Sequence, residues 1–351
     1  MSHSSISKNQ LRILITGCEA PGTSGTLTGL KYLDDKFLIQ IFGCDTNLFS
    51  NSNSEFVKIS NVPFANESNY IEKVSHLIQE WGIDIVIPQT TDEVLALAPY
   101  GKSYLKSARV LLPGDEKSIK LANDKMQLLE ISRELGLPTS DFCQFKLLEY
   151  GRLESWLRND GFFYIKSRND SGGRGIIKVL PDKEYFLALR KKPTSVHSMK
   201  MSDVRALSET DMASNFFAMR QQKGVEFSVD VYSEGRNFLA IPRERVKIRS
   251  GVSQINRITR NESIEKATYL ISKMIGLEGL FGYQFIFNSS DDYSILECNP
   301  RIQGSTFASI KSGSNILGHA VLRKLDIPSD LTSPRWNSVF VRTSGGIVSH
   351  E

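Results

Sequence analysis

The sequence predicts a mixed α/β and α+β protein in three regions, residues 1–112, 113–217 and 218–351. Three observations carry this. The first hundred residues alternate short apolar runs with amphipathic helical patterns, the middle region sets a glycine-rich turn between two strands, and the last region is rich in strands around one helical pattern. Strand–helix alternation of the first kind implies a parallel sheet covered on both faces. At 351 residues the chain also exceeds one ordinary hydrophobic core, so two or three domains are expected.

In the first region "LRILITG", "KFLIQIFGCD", "IDIVIP" and "ARVLLPG" read as buried strands. Between the second and third lies "YIEKVSHLIQEW", where Tyr70, Val74, Leu77, Ile78 and Trp81 share one helical face. The loop "TGCEAPGTSG" follows the first strand, and Asp45 ends the second, where a ribose-binding acid would sit in a dinucleotide fold. Its glycines, Gly17, Gly22 and Gly25, are spaced G-x4-G-x2-G and not G-x-G-x-x-G. A loop lining a cleft at the strand ends is therefore expected, and a nicotinamide cofactor is not.

The middle region opens with "NDKMQLLEISRELGLP", a helix with Asn123 as its expected N-cap and Gly136 with Pro138 at its end. Then comes "FFYIKSRNDSGGRGIIKVL". Lys166 closes the first strand, and Ser171, Gly172, Gly173 and Gly175 fill the turn. Glycines allow backbone N–H groups to approach phosphate oxygens closely, although a hairpin tip would use the same residues. A Walker loop is excluded, because its lysine follows the glycines and opens a helix.

In the last region "PRERVKIRSG" sets Arg243, Arg245, Lys247 and Arg249 at every second position, so a regular strand presents four cations on one face. Such a row meets an anion or guards a solvated edge. The hairpin "GYQFIFNSSDDYSILECNPR" poses a sharper question, since its second strand ends in a carboxylate, an amide, a proline and an arginine. Regular alternation puts Tyr293, Ile295, Glu297 and Asn299 on one face. Antiparallel pairing brings Gln284 opposite Glu297 to within a residue. Gln284, Glu297 and Asn299 then converge as hard oxygen donors of the kind magnesium accepts beside phosphate. Arg301 lies just beyond, within reach of a phosphoryl group.

Bulk composition excludes several classes. A net charge of +4 without a basic stripe interleaved with aromatics gives no footprint for nucleic acid. No apolar run approaches the ~20 residues that span a bilayer, so no membrane partner is expected. The opening "MSHSSISKNQ" lacks the apolar core of a signal peptide. Cys18, Cys44, Cys143 and Cys298 form no C-x-x-C pair, and the histidines are dispersed, so the expected compartment is the reducing cytoplasm.

The order Lys125, Lys166, "SGGRG", "GVEFSVDV", Gln284, "ECNPR" resembles the ATP-grasp superfamily, most of all its carbamoyl-phosphate-synthetase-type ligases, over about residues 11–310. The resemblance implies a Rossmann-like N-terminal domain followed by the two lobes of an ATP-grasp fold. It implies that Lys125 and Lys166 contact ATP phosphates, that Ser171, Gly172, Gly173 and Gly175 close over them, and that Glu226 holds the ribose. It further implies that Gln284, Glu297 and Asn299 bind two magnesium ions, with manganese as the alternative, and that Arg301 stabilises the transferred phosphoryl group. Arg245 and Arg249 become candidates for the acid substrate or departing phosphate. The hinge departs from the family pattern, reading Met219, Arg220, Gln221 where a glutamate near adenine is usual; Met219 and Gln221 are the expected adenine neighbours.

With one grasp module and no amidotransferase-like segment, carbamoyl phosphate synthesis is not expected. The expected activity is ATP-dependent joining of a small carboxylate to an amine through an acyl phosphate. The alternative is a non-catalytic ATP-binding sensor on the same scaffold. A homodimer is the base-rate expectation.

Overall fold

The computed structural model describes residues 9–48, 55–101, 103–145, 149–170, 175–188, 196–249 and 251–343. The first sheet holds β1 (Asn9–Thr16), β2 (Phe37–Asp45), β3 (Lys58–Asn61), β4 (Ile85–Pro88), β5 (Tyr104–Leu105) and β6 (Ala108–Val110) in the order β3-β2-β1-β4-β6-β5. All but β5 run parallel. Helices α1 (Thr23–Lys31), α2 (Tyr70–Trp81) and α3 (Thr91–Leu97) fill the crossovers. The five residues expected on the inner face of α2 are all buried. They pack against Leu14, Phe42 and Val86, while Ile13, Ile15 and Ile87 serve the opposite face.

Helices α4 (Glu116–Asn123) and α5 (Lys125–Glu134) lead into the second sheet. It holds β7 (Phe142–Gln144), β8 (Phe163–Ser167), β9 (Ile176–Leu180), β10 (His197–Lys200) and β11 (Phe216–Arg220) in the order β10-β9-β8-β11-β7. Helices α6 (Tyr150–Asp160), α7 (Asp182–Ala188) and α8 (Met201–Ser208) accompany it. The division expected between residues 217 and 218 falls inside β11, which stays paired to β8 as far as Arg220.

The third sheet is antiparallel throughout: β12 (Val225–Glu234), β13 (Asn237–Arg249), β14 (Val252–Ile258), β15 (Gly279–Ser289), β16 (Asp292–Asn299) and β17 (Val339–Val341), ordered β16-β15-β12-β13-β14-β17. Helix α9 (Glu262–Ile275) and the earlier α5 bury their apolar faces on it through Ile264, Ile271, Met126 and Leu129. The closing helices α10 (Phe307–Lys311) and α11 (Ile316–Lys324) return to α1, and join the core under the first sheet. Spatial units thus cross the sequence divisions.

Two local expectations are corrected. The N-cap of α5 is Asp124, whose Oδ1 accepts from the N–H groups of Met126 and Gln127 at 3.0 and 3.2 Å. Asn123 ends α4 instead and donates its amide to the Asn169 carbonyl. The second correction concerns β16. Gln284 pairs with Glu297 as expected, but Phe285 pairs with Ile295, leaving Leu296 as an extra residue. This bulge reverses the alternation. Tyr293, Ile295 and Cys298 share one apolar core, and Glu297 and Asn299 face the cleft on the other side.

Candidate active site

The bulge and the pairing register bring the expected metal ligands together. Glu297 Oε1 accepts from Gln284 Nε2 at 2.8 Å and from Asn299 Nδ2 at 3.2 Å. One carboxylate and two amides meeting at one point suit a hard divalent cation, once the amides present their oxygens. Among the described residues no cluster of three His, Cys, Asp or Glu side chains exists to hold a softer metal.

Arg301 follows directly. Its Nε donates to Thr91 Oγ1 at 3.2 Å, its Nη1 to the Ile302 carbonyl at 2.9 Å and its Nη2 to Asn299 Oδ1 at 3.3 Å. The guanidinium therefore ties the ligand strand to the start of α3 in the first domain. Arg245 completes the chain on the other side. Its Nη1 donates to Glu226 Oε2 at 2.8 Å and to Gln284 Oε1 at 3.1 Å, and its Nε to Ser253 Oγ at 2.9 Å. Glu226, the expected ribose ligand, is thus ion-paired to Arg245.

The basic row does not stay on one face. Register shifts on either side of Lys247 break the alternation along β13. Arg243 enters the interior, where it is 0% exposed. There its Nη2 donates to Asp230 Oδ1 at 2.8 Å and its Nη1 to Ser305 Oγ at 2.6 Å. Lys247 and Arg249 are exposed at the strand end, apart from the convergent groups.

The buried pair shapes the turn after the ligands. Asp230 also accepts from Thr306 Oγ1 at 2.8 Å and from Ser309 Oγ at 2.5 Å. Gln303 Nε2 reaches the Val229 carbonyl at 2.7 Å. Its path needs Gly282, because a Cβ there would lie 1.6 Å from Gln303 Nε2. Together these contacts fix residues 301–306 against the sheet.

Lys125 approaches from the start of α5 and Lys166 from β8 of the second sheet. Lys125 starts α5, and its Nζ donates to the Asp170 carbonyl, at the base of the glycine turn. Arg168 clamps the same base by donating to Asp124 Oδ2 from Nε at 3.0 Å and Nη2 at 2.5 Å. Gly175 closes the turn at φ +69°, and a Cβ there would lie 2.6 Å from Ser167 Cβ. Ser171, Gly172 and Gly173 lie outside the described residues. Burial lowers both lysines: Lys166 is held down to about 8, with repulsion from Lys125 in the same direction and the carboxylates of Glu297 and Glu226 opposing. Met219 is buried in the core against Phe217 and Phe227. Gln221 lines a separate surface depression with Arg133, Asp160 and Arg220.

Gln284, Glu297, Asn299, Arg301 and Arg245 open onto a cleft of about 470 Å³ whose far wall is the first domain. That wall is made of strand ends and the turns after them: Gly17 and Gly22 after β1, Asp45 at the end of β2, and Gln89, Thr91 and Asp92 after β4. Sequence reasoning set the loop after β1 on a cleft and named Asp45, but gave Gln89, Thr91 and Asp92 no role. The signal was the abrupt change from "IVIP" to "QTTDE", since ligand sites in parallel sheets form beyond carboxyl strand ends. Asp45 holds its own loop, accepting from the N–H groups of Glu19 at 2.9 Å and Thr46 at 2.7 Å. Glu93 makes a capping box with Thr90 at the start of α3. Burial pushes its carboxyl up to about 7, against the hydrogen bonds from Thr90.

Comparison with known proteins agrees with this geometry. Residues 213–346 match the family model described as ATP-grasp in the biosynthetic pathway with Ter operon. The carbamoyl phosphate synthase large chain of Clostridium acetobutylicum is 26% identical over 248 residues, which are 67% of this chain and 21% of that protein. The chain thus spans about a fifth of that relative. The ADP complex of N5-carboxyaminoimidazole synthetase from Staphylococcus aureus superposes with a TM-score of 0.64 at 15% identity, covering 97% of this chain and 83% of that one. An L-amino acid ligase from Bacillus licheniformis gives a TM-score of 0.64 at 14% identity over 91% of this chain and 75% of that one. The chain thus resembles ATP-grasp proteins, by the family match over residues 213–346 and the similarity to a carbamoyl phosphate synthase, and it shares the fold of these solved synthetase and ligase structures.

Proposed function

We propose that the protein is an ATP-dependent ligase that joins a small carboxylate to an amine. The observation that carries this reading is the convergence of Gln284, Glu297, Asn299 and Arg301 at the mouth of an interdomain cleft. The cleft of about 470 Å³ onto which these groups open, walled on its far side by the first domain, offers room for an acid and an amine. The ADP bound to the staphylococcal synthetase and the amino acid ligation named for the Bacillus enzyme support the same class of chemistry.

In the first step a carboxylate oxygen attacks the γ-phosphorus of ATP, the bond to the β–γ bridging oxygen breaks, and ADP leaves. In the second the amine attacks the acyl carbon, inorganic phosphate leaves with the electron pair, and the nitrogen loses a proton. Lys125 and Lys166 would bind phosphate oxygens, and Glu226 would turn from Arg245 to the ribose. Glu297 with the oxygens of Gln284 and Asn299 would hold magnesium, which neutralises phosphate charge when bound. Arg301 would offset the repulsion between carboxylate and phosphoryl group, which is strong in a site screened from water. Catalysis of this kind needs positioning and charge more than a proton-transfer base.

The test is a pool of small acids and amines with ATP, read by ADP release and product mass. With an 18O-labelled carboxylate, one labelled oxygen per turnover should appear in inorganic phosphate. Product formation without that transfer would refute the acyl phosphate route.

A further inference from the structure

The guanidinium of Arg245 is held by two different sets of partners. Its Nε and Nη2 donate within its own hairpin, to Ser253 Oγ at 2.9 Å and to the Gly251 carbonyl at 2.6 Å. Its Nη1 commits both hydrogens to groups expected to receive the nucleotide and its metal, Glu226 Oε2 at 2.8 Å and Gln284 Oε1 at 3.1 Å. The Arg245 side chain is 7% exposed and lines the cleft, whereas that of Glu226 is 39% exposed. The Tyr164 hydroxyl of β8 is raised by burial and by the charge of Glu226, so that carboxylate looks towards the second sheet. Arg245 thus joins the nucleotide side of the site to the cleft.

The two sets respond differently to a bound nucleotide. When Glu226 turns to ribose hydroxyls and Gln284 presents its oxygen to a cation, Nη1 loses both acceptors. Nε and Nη2 keep theirs, so the guanidinium stays where it is. A buried donor left without acceptors is costly. Glu297, the other carboxylate near Arg245, belongs to the metal site and does not replace them. The freed nitrogen therefore favours an anion in the cleft.

We propose that Arg245 is a latch: Glu226 and Gln284 hold it until the nucleotide takes them, and only the nucleotide-loaded protein presents it to an anion in the cleft. The inference rests on the reading of Glu226 as the ribose ligand and Gln284 as a metal ligand. It orders binding, with nucleotide before acid. It also makes Arg245 oppose nucleotide binding in the empty protein, although it is a cation beside an anionic ligand. Coupling of this kind is reciprocal, so an anion in the cleft tightens the nucleotide by the factor with which the nucleotide tightens the anion.

The experiment is calorimetric titration of Mg-ADP and Mg-2′,3′-dideoxy-ADP into wild type, Arg245→Met and Glu226→Gln, with inorganic phosphate as the anion probe. Arg245→Met should bind Mg-ADP about three- to tenfold more tightly than wild type, between the worth of an exposed ion pair and that of a hydrogen bond to a charged group. The gain should shrink with the dideoxy nucleotide, which gives Glu226 nothing to hold. In wild type, phosphate should bind the ADP-loaded protein more tightly than the dideoxy-ADP-loaded protein by a similar factor, and in Arg245→Met the two should be equal. Melting temperatures show that the variants fold. Weaker or unchanged Mg-ADP binding in Arg245→Met overturns the latch. So does phosphate binding in wild type that ignores the ribose hydroxyls, a comparison that needs no variant. If Arg245→Met binds the two nucleotides equally, the ribose reading of Glu226 fails. If Arg245→Met discriminates between them no better than wild type while Glu226→Gln loses the discrimination, that reading stands and the latch alone falls.

Discussion

Nucleotide binding should take up a proton, and Lys166 sets the amount. Burial holds its ammonium down to about 8 against an ordinary value of 10.5. Phosphate oxygens placed beside it favour the charged form. Below a pH of about 8 the lysine already carries its proton, and binding takes none. Above it the proton must come from solvent. Uptake should therefore be about 0.1 proton at pH 7, about 0.5 at pH 8 and about 0.9 at pH 9. The same linkage makes ADP binding about tenfold weaker at pH 9 than at pH 7, or ~1.4 kcal/mol. Lys125, also lowered by burial, adds in the same direction. Calorimetric titration of ADP in pairs of buffers with different heats of ionisation reads the uptake. Lys166→Gln should abolish most of it. No uptake at pH 9, or uptake unchanged in Lys166→Gln, would refute the placement of Lys166 against phosphate.

Three further outcomes follow from the site. Glu297→Gln removes the carboxylate on which both amides converge, and should cut turnover roughly a hundredfold or more with the fold intact; near wild-type ATP consumption would end the metal-site reading. Arg301→Lys keeps the charge but cannot span Thr91, Ile302 and Asn299, so kcat should fall more than ADP affinity. Unchanged kcat with weakened binding would remove Arg301 from the transition state. Asp230→Ala leaves Arg243 buried without its partner and should destabilise by about 3–5 kcal/mol in urea unfolding, whereas Asp230→Leu combined with Arg243→Met should recover most of the loss. Equal stability of the single and double variants would show that the pair is not coupled.

The parallel sheet was legible because buried strands and amphipathic helices alternate with different periods, as in "IDIVIP" after the α2 pattern. The Gln284–Glu297 register was legible too, because a short turn leaves an antiparallel hairpin few pairings. Bulges were not. Leu296 and the shifts around Lys247 leave the composition of their strands unchanged, so strict alternation misplaced Ile295 and drew Arg243 and Arg249 onto one face. Asn123 and Asp124 are both good caps, and only the backbone path chooses between them. The far wall was hardest to read, since Thr91 and Arg301 lie 210 residues apart. Hydropathy and motif spacing are local, and this contact is not.

The bulge at Leu296 makes the phase of the strand at that point a functional variable. Trimming the side chain to alanine would remove only partly buried packing and leave the phase of the strand unchanged. Flattening the bulge while keeping Leu296 would restore an unbroken two-residue repeat. Glu297 and Asn299 would then rotate under the sheet among Tyr283 and Phe285, and Cys298 would take their place in the cleft. A strand without the extra residue would reach the observed arrangement with no bulge, because Ile295 followed directly by Glu297 puts the two on opposite faces and keeps Gln284 opposite Glu297.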